Sequence, residues 1–195
     1  VNYYDGQGFM VRKDLGIKSV KDLSGASICT NTGTSTETNM ADYFKANGLE
    51  YKPVIFEKSE EVKSAYDAGR CDAYSSDVSG LYVQRKLLAS PDAHDILPEV
   101  ISKEPLGPLV RQEDPAFKDL AAWTHHCMVN AEEYGVTQAN ADEMKNSNNP
   151  NIRRLLSVEA NGADKLGVGQ DFCYHIVKNI GNYGEAYDRN VGKDS

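Results

Sequence analysis

Positive charge is scarce in this chain, and long apolar runs are missing. Lysine and arginine number 21 against 29 aspartates and glutamates, which leaves a net charge of −8 and a pI of about 5.0. That sign argues against nucleic acid or an anionic membrane as the main partner. No apolar stretch approaches the roughly 20 residues that a membrane helix needs. The four cysteines include no Cys-x-x-Cys pair, so a zinc site is not expected. No Gly-Lys-Ser/Thr run marks a Walker-type phosphate loop, and no Gly-x-Ser-x-Gly elbow or other nucleophile motif is present. No catalytic residue, metal or cofactor is therefore expected. Internal repeats and low-complexity linkers are also lacking. No signal peptide opens the chain, and Val1-Asn2-Tyr3-Tyr4-Asp5-Gly6 reads as the middle of something. A processed chain or a fragment is expected, so a missing targeting segment says little about compartment.

What is present is an ordinary globular composition and two matched segments. The 195 residues, 40% apolar and 26% charged, suffice for one large domain or two small lobes. Ile28-Cys29-Thr30-Asn31-Thr32-Gly33-Thr34-Ser35-Thr36-Glu37 reads as a strand, a Gly-Thr-Ser-Thr turn and a helix start. Some forty residues on, Gly69-Arg70-Cys71-Asp72-Ala73-Tyr74-Ser75-Ser76-Asp77 reads as a strand ending in an aspartate at a second helix start. A helix that begins at Thr34 to Thr36 points unpaired N–H groups outward and adds positive potential, which suits a carboxylate. The competing reading is an ordinary capping box, with Thr34 as N-cap and Glu37 three residues later. Asp77, at the end of a strand, can hold an ammonium, or can simply cap its helix.

The surrounding pattern is one of alternating strands and helices. Strands are predicted at 8–11, 26–30, 51–56 and 71–75, with Pro53 placing the third at an edge. Helices are predicted at 35–47, 59–68 and 78–89, and Gly48 and Gly69 end the first two. Such alternation implies βαβ units and a parallel sheet. Later strands are predicted at 95–97 and 106–110. Beyond Pro115 the pattern turns helical, with helices at 116–134, 152–156, 172–180 and 183–190. A boundary is placed near Leu106 to Arg111.

Cys29 and Cys71 each sit in a predicted strand. If those strands are neighbours, a disulfide is possible, which would imply an oxidising compartment; two buried thiols are the alternative. Cys127 and Cys173 fall in predicted helices and are read as buried and free. His125 and His126 are adjacent on a helix and point in different directions, so they do not suit a shared metal. His94 and His175 have no evident partners.

Four ordered segments carry a more specific signal. They are Tyr3 to Val11, Val20-Lys21-Asp22-Leu23-Ser24-Gly25, Thr32 to Glu37, and Ala68 to Asp77. Together they resemble the polar amino-acid-binding proteins of bacterial ABC importers. Leu109 to Phe117 looks like that family's return strand and following helix. Ile101 to Pro108, Ala131 to Thr137, Arg153 to Leu156 and Gly181 to Glu185 resemble one subfamily, the general L-amino-acid-binding periplasmic proteins.

The resemblance implies an α/β, type II periplasmic-binding-protein-like fold, with one complete α/β lobe and the helical C-terminal part of the other. It implies that residues 1–11 end the first lobe and supply the first hinge strand, that 12–106 form the second lobe, that 107–111 are the second hinge strand, and that 112–195 are the helical part of the first lobe. By matching positions, Thr34 and Ser35 would take the ligand α-carboxylate and Asp77 the α-amino group. Asn31 and Thr36 would face the ligand side chain. The subfamily also favours a Cys29–Cys71 disulfide. The partners implied are a free L-amino acid and an inner-membrane ABC permease, and the location is the periplasm.

One departure stands beside these matches. The family's first lobe begins with a long stretch ahead of the Tyr-Tyr segment, and that stretch carries a carboxylate-clamping arginine and aromatic residues. It is not found in this sequence, and the tail also looks cut short after Ser195. The chain alone is therefore expected to bind amino acids weakly or not at all. Exposed apolar helix faces would make a homodimer through the lobe-one surface plausible. Two other functions fit the same fold, an enzyme such as a periplasmic dehydratase and a ligand-sensing receptor domain. The first would need a general acid or base beside the ligand.

Overall fold

The computed structural model describes residues 1–192. The chain divides into two compact units, Val1–Gly107 and Pro108–Ser195. Among the described residues, no helix is long and apolar enough to cross a membrane.

The first unit is an α/β layer structure. Its strands are β1 (Tyr3–Asp5), β2 (Gln7–Arg12), β3 (Ser27–Asn31), β4 (Lys52–Phe56), β5 (Ala73–Asp77), β6 (His94–Ile96) and β7 (Glu104–Leu106). Its helices are α1 (Ser35–Ala46), α2 (Ser59–Asp67) and α3 (Val78–Lys86). Five strands form one sheet in the order β4-β3-β5-β2-β6. β3 runs parallel to β4 and β5, as the βαβ pattern predicts. β2 runs antiparallel to both β5 and β6, so the sheet is mixed, not purely parallel. β4, with Pro53, lies at the edge, where a missing N–H costs no ladder bond.

Alternation along the strands splits the core in two. Phe9 and Val11 of β2, Ile28 of β3 and Ala73 of β5 pack on one face with Met40 and Phe44 of α1. Met10, Cys29 and Tyr74 point to the other face, against Val62, Ala65 and Tyr66 of α2 and Leu81 of α3. Met40 and Phe44 are four residues apart, which places both on the inner side of α1. Helices thus cover both faces of the sheet.

The strand predicted at 8–11 is β2, Gln7–Arg12, and one later strand end differs from expectation. Gln7 to Val11 are buried without a break, as in a strand covered on both faces. The strand expected at 106–110 is β7, and 107–111 carry no strand. β7 pairs antiparallel with β1, with Asp5 opposite Glu104 and Tyr3 opposite Leu106. Pro108, two residues on, has no N–H to extend that ribbon.

The second unit is helical. It holds α4 (Pro115–Glu133), α5 (Ala141–Met144), α6 (Pro150–Leu155), α7 (Phe172–Ile180) and α8 (Tyr183–Asn190). Asp114 caps α4 by accepting from the Phe117 amide at 2.9 Å, with Pro115 in the first turn. Its core gathers Ala131, Val136, Ile152, Leu156 and Val177.

Cys29 and Cys71 are joined, with their Cα atoms 5.7 Å apart. Cys127 and Cys173 are also joined, at a Cα separation of 5.3 Å, which corrects the reading of two free thiols. Nothing in their spacing of 46 residues signals a pair. The contact arises because α4 and α7 pack side by side, and a sequence pattern for each helix alone does not contain it.

Candidate functional site

β3 and β5 are neighbouring parallel strands, so their carboxyl ends open on one edge of the sheet. Each then turns into a helix, β3 through Thr32-Gly33-Thr34 into α1 and β5 directly into α3. This is the edge where open α/β sheets hold ligands. Gly33 has a φ of 68°, a left-handed conformation that a side chain would strain, and it lets the chain reverse tightly ahead of α1.

The turn is not the capping box that Thr34 and Glu37 could form. The Thr34 hydroxyl donates back to the Asn31 carbonyl at 3.0 Å, and the Glu37 carboxylate accepts from the Gly33 amide at 3.0 Å. Thr34 is the N-cap residue by position, and its side chain accepts no bond from the helix. The first-turn amides of α1 therefore keep their donor capacity. Thr34 and Ser35 are exposed, Asn31 is half-buried and Thr36 is buried. The Asn31 side-chain oxygen accepts from the Ser59 hydroxyl at 3.4 Å.

Asp77 is the N-cap residue of α3, and it also makes no side-chain cap bond. Its half-buried carboxyl is held above its usual pKa, mainly by burial and then by the charges of Glu104 and Asp5. Those two carboxylates come from the β1–β7 ribbon, where they face each other. Asp5 accepts from the Gly6 amide at 2.8 Å, from the Ser79 amide at 3.4 Å and from the Ser79 hydroxyl. Glu104 accepts from the Ser102 hydroxyl at 2.9 Å and from the Asn39 side chain at 3.4 Å. Among the described residues, none of the three carboxylates forms an ion pair with a lysine or arginine. One sheet edge thus offers amide donors at the start of α1 and uncompensated negative charge at the end of β5.

Sequence alone does not single out Asp5 and Glu104. Asp5 lies in the Tyr3 to Val11 segment, yet its place in the site depends on a partner 99 residues away. Each histidine has a side-chain partner in its own unit. His94 is buried and bonds the Tyr66 hydroxyl at 2.8 Å, and His175 bonds Asp171 at 2.9 Å. The His125 ring meets Tyr183 and the His126 ring meets Trp123, at centroid distances of 5.6 and 5.5 Å. Among the described residues, no group of three or more His, Cys, Asp and Glu side chains could hold a metal ion.

Comparison with known proteins places the fold. The chain is 58% identical over 198 residues to the general L-amino acid-binding periplasmic protein AapJ of Rhizobium johnstonii, covering 100% of this chain and 58% of that protein. It is 50% identical over 195 residues to the glutamate/glutamine/aspartate/asparagine-binding protein BztA of Rhodobacter capsulatus, covering 98% of this chain and 57% of that protein. The chain therefore spans little more than half the length of these relatives. Among solved structures, a periplasmic binding protein of an ABC transporter from Brucella ovis, with glutathione bound, superposes with a TM-score of 0.93 at 57% identity. That match covers 100% of this chain and 62% of the Brucella chain. The fold is accordingly that of the type II periplasmic binding proteins, an α/β class. A family model described as NMT1/THI5 like matches residues 5–166, and the chain belongs to that family.

Proposed function

We propose that this chain is part of a solute-binding component that captures free L-amino acids in the periplasm and passes them to an inner-membrane ABC permease. The first-turn amides of α1 and the Ser35 hydroxyl receive the α-carboxylate, with Thr34 shaping the turn. Asp77 takes the α-amino group, and Asn31 and Thr36 face the ligand side chain. The observation that carries this reading is the state of Asp77. Its carboxyl caps nothing, pairs with no lysine or arginine among the described residues and is repelled by Glu104 and Asp5. An ammonium brought there gains a charge-assisted hydrogen bond and relieves that repulsion. No step in this role needs a general acid or base, so the reading is of a carrier without chemistry of its own.

The amino-acid-binding names of the relatives at 58% and 50% identity support the same reading. The glutathione-bound relative favours a second ligand class. Glutathione carries a free α-amino and α-carboxylate pair on its γ-glutamyl residue, so the same two groups would serve a γ-glutamyl peptide. By itself the 195-residue chain is expected to bind weakly, because the described site residues supply no cation for the carboxylate. A homodimer through the helical unit, where Phe117 and Trp123 are 53% and 50% exposed, belongs to the same proposal. Light scattering that gives the mass of one chain at high concentration would rule it out.

The test is an amide NMR titration of the chain with L-glutamine and with glutathione, alongside D-glutamine. Shifts confined to residues 33–37 and 76–79, for the L-compounds, are expected. Shifts elsewhere, or equal shifts for both enantiomers, would remove the assignment.

A further inference from the structure

Gln7 is fully buried, yet its Oε1 has no hydrogen-bond partner. The Nε2 end is engaged twice. It donates to the Thr36 carbonyl at 3.0 Å and to the Ser75 hydroxyl oxygen at 2.9 Å. Ser75 in turn donates to the Gly8 carbonyl at 2.9 Å, and the Thr30 hydroxyl donates to the Ser75 carbonyl at 3.2 Å. In the β2–β5 register Gln7 lies directly opposite Asp77. Its backbone amide donates to the Ser102 hydroxyl at 2.9 Å, which donates to Glu104. One residue therefore reaches the first turn of α1, the last residues of β5 and the support of Glu104.

Packing does not account for this residue. A buried acceptor without a partner carries its full desolvation cost. The Thr36 carbonyl already has a helical partner four residues on, and Ser75 already has Gly8. A methionine would fill the same length and leave no orphaned oxygen. What the amide adds is a fixed separation between a helix and a strand that no other side-chain bond in the described residues ties together at that end.

We propose that Gln7 is a positioning residue that sets the spacing between the Thr34–Thr36 turn and Asp77. This rests on the reading of those two places as the carboxylate and ammonium sites. The side chain does not touch the ligand. It fixes the separation between the two halves of the site, so the protein meets its ligand already ordered.

The experiment compares the wild-type chain with Gln7→Met. A purely structural glutamine predicts a change in melting temperature and nothing local. A positioning glutamine predicts a melting temperature within about 5 °C of wild type. It also predicts hydrogen exchange about tenfold faster at the Thr38, Asn39 and Met40 amides, which bond to the carbonyls of the first turn, while the β4 amides exchange as before. L-Glutamine shifts at residues 33–37 should require about tenfold more ligand. Unchanged exchange at residues 38–40 together with an unchanged L-glutamine titration would overturn the proposal. If wild type itself shows no L-glutamine shift at the turn or at Asp77, the ligand reading fails, and the exchange comparison still decides whether Gln7 fixes the spacing. If Gln7→Met does not fold, Ser75→Ala removes one of the two Gln7 anchors and is expected to accelerate the same three amides. No acceleration in that variant would equally overturn it.

Discussion

Asp77→Asn should make the protein more stable and its binding worse. The substitution keeps the shape of the side chain and removes its charge. No hydrogen bond in the described residues ends on the Asp77 carboxyl, so none is lost. Burial, Glu104 and Asp5 hold this carboxyl above its unfolded value of 3.8. The folded state therefore binds the proton more tightly than the unfolded state does. Stability then falls as pH rises from about 4 through the raised folded value, because ionising Asp77 costs more in the folded protein. Asparagine escapes that cost. The unliganded variant should melt with wild type at pH 3 and above it at pH 7. Binding moves the other way. Truncating one partner of a hydrogen-bonded charge pair costs about 2–5 kcal/mol, so affinity for an amino acid should fall by about 30-fold or more. Thermal melts of both proteins at pH 3, 5 and 7, with an L-glutamine titration at pH 7, read both effects. A variant less stable than wild type at pH 7 would refute the electrostatic argument. A variant of equal affinity would refute the ammonium site.

Three further outcomes follow from the same geometry. Replacing Cys29 and Cys71 by alanine together opens a loop of 42 residues, for which chain entropy gives a loss of about 4 kcal/mol, and urea unfolding that shows less than about 1 kcal/mol would refute the estimate. The Asp72 carboxyl is held below its usual pKa by the hydroxyl and amide of Ser27, at 2.6 and 2.8 Å. Its contribution is therefore complete above the unfolded value of 3.8 and is lost as pH falls through the depressed folded value, so Asp72→Ala should cost about 1–3 kcal/mol at pH 7 and little at strongly acid pH, as denaturant unfolding at both would reveal. Thiol titration of the unreduced, denatured chain should find no free thiol among its four cysteines, and two free thiols would contradict the Cys127–Cys173 bond.

Much of the first unit was legible because its signals are local. Apolar alternation, helix spacing and closing glycines recur within a few residues, and these located β3, α1 and α2 closely, as the same local signals located α7 in the second unit. Pro53 marked an edge strand because a missing N–H is a local fact with a topological consequence. The direction of β2 was not legible. An apolar run buried on both faces looks the same whether its neighbours run with it or against it, and only the pairing with β5 and β6 settles the matter. The two disulfides divide in the same way. Cys29 and Cys71 sat on strands whose neighbourhood could be imagined, whereas Cys127 and Cys173 met through a helix contact that no periodicity records.

The candidate site divides likewise. The sequence by itself determined the chemistry available at its two turns, a glycine-led helix start rich in hydroxyls and an aspartate closing a strand. Taken locally, each could equally have been a helix cap, since a cap and a ligand site call for the same residue types. The tertiary structure decided against the side-chain caps. It turned the Thr34 hydroxyl back to Asn31, left Asp77 without a capping bond and brought Asp5 and Glu104 from the two ends of the unit to face it. Those contacts span up to 99 residues of chain, and electrostatic repulsion depends on distance in space, so folding was needed before the charge had a place to act.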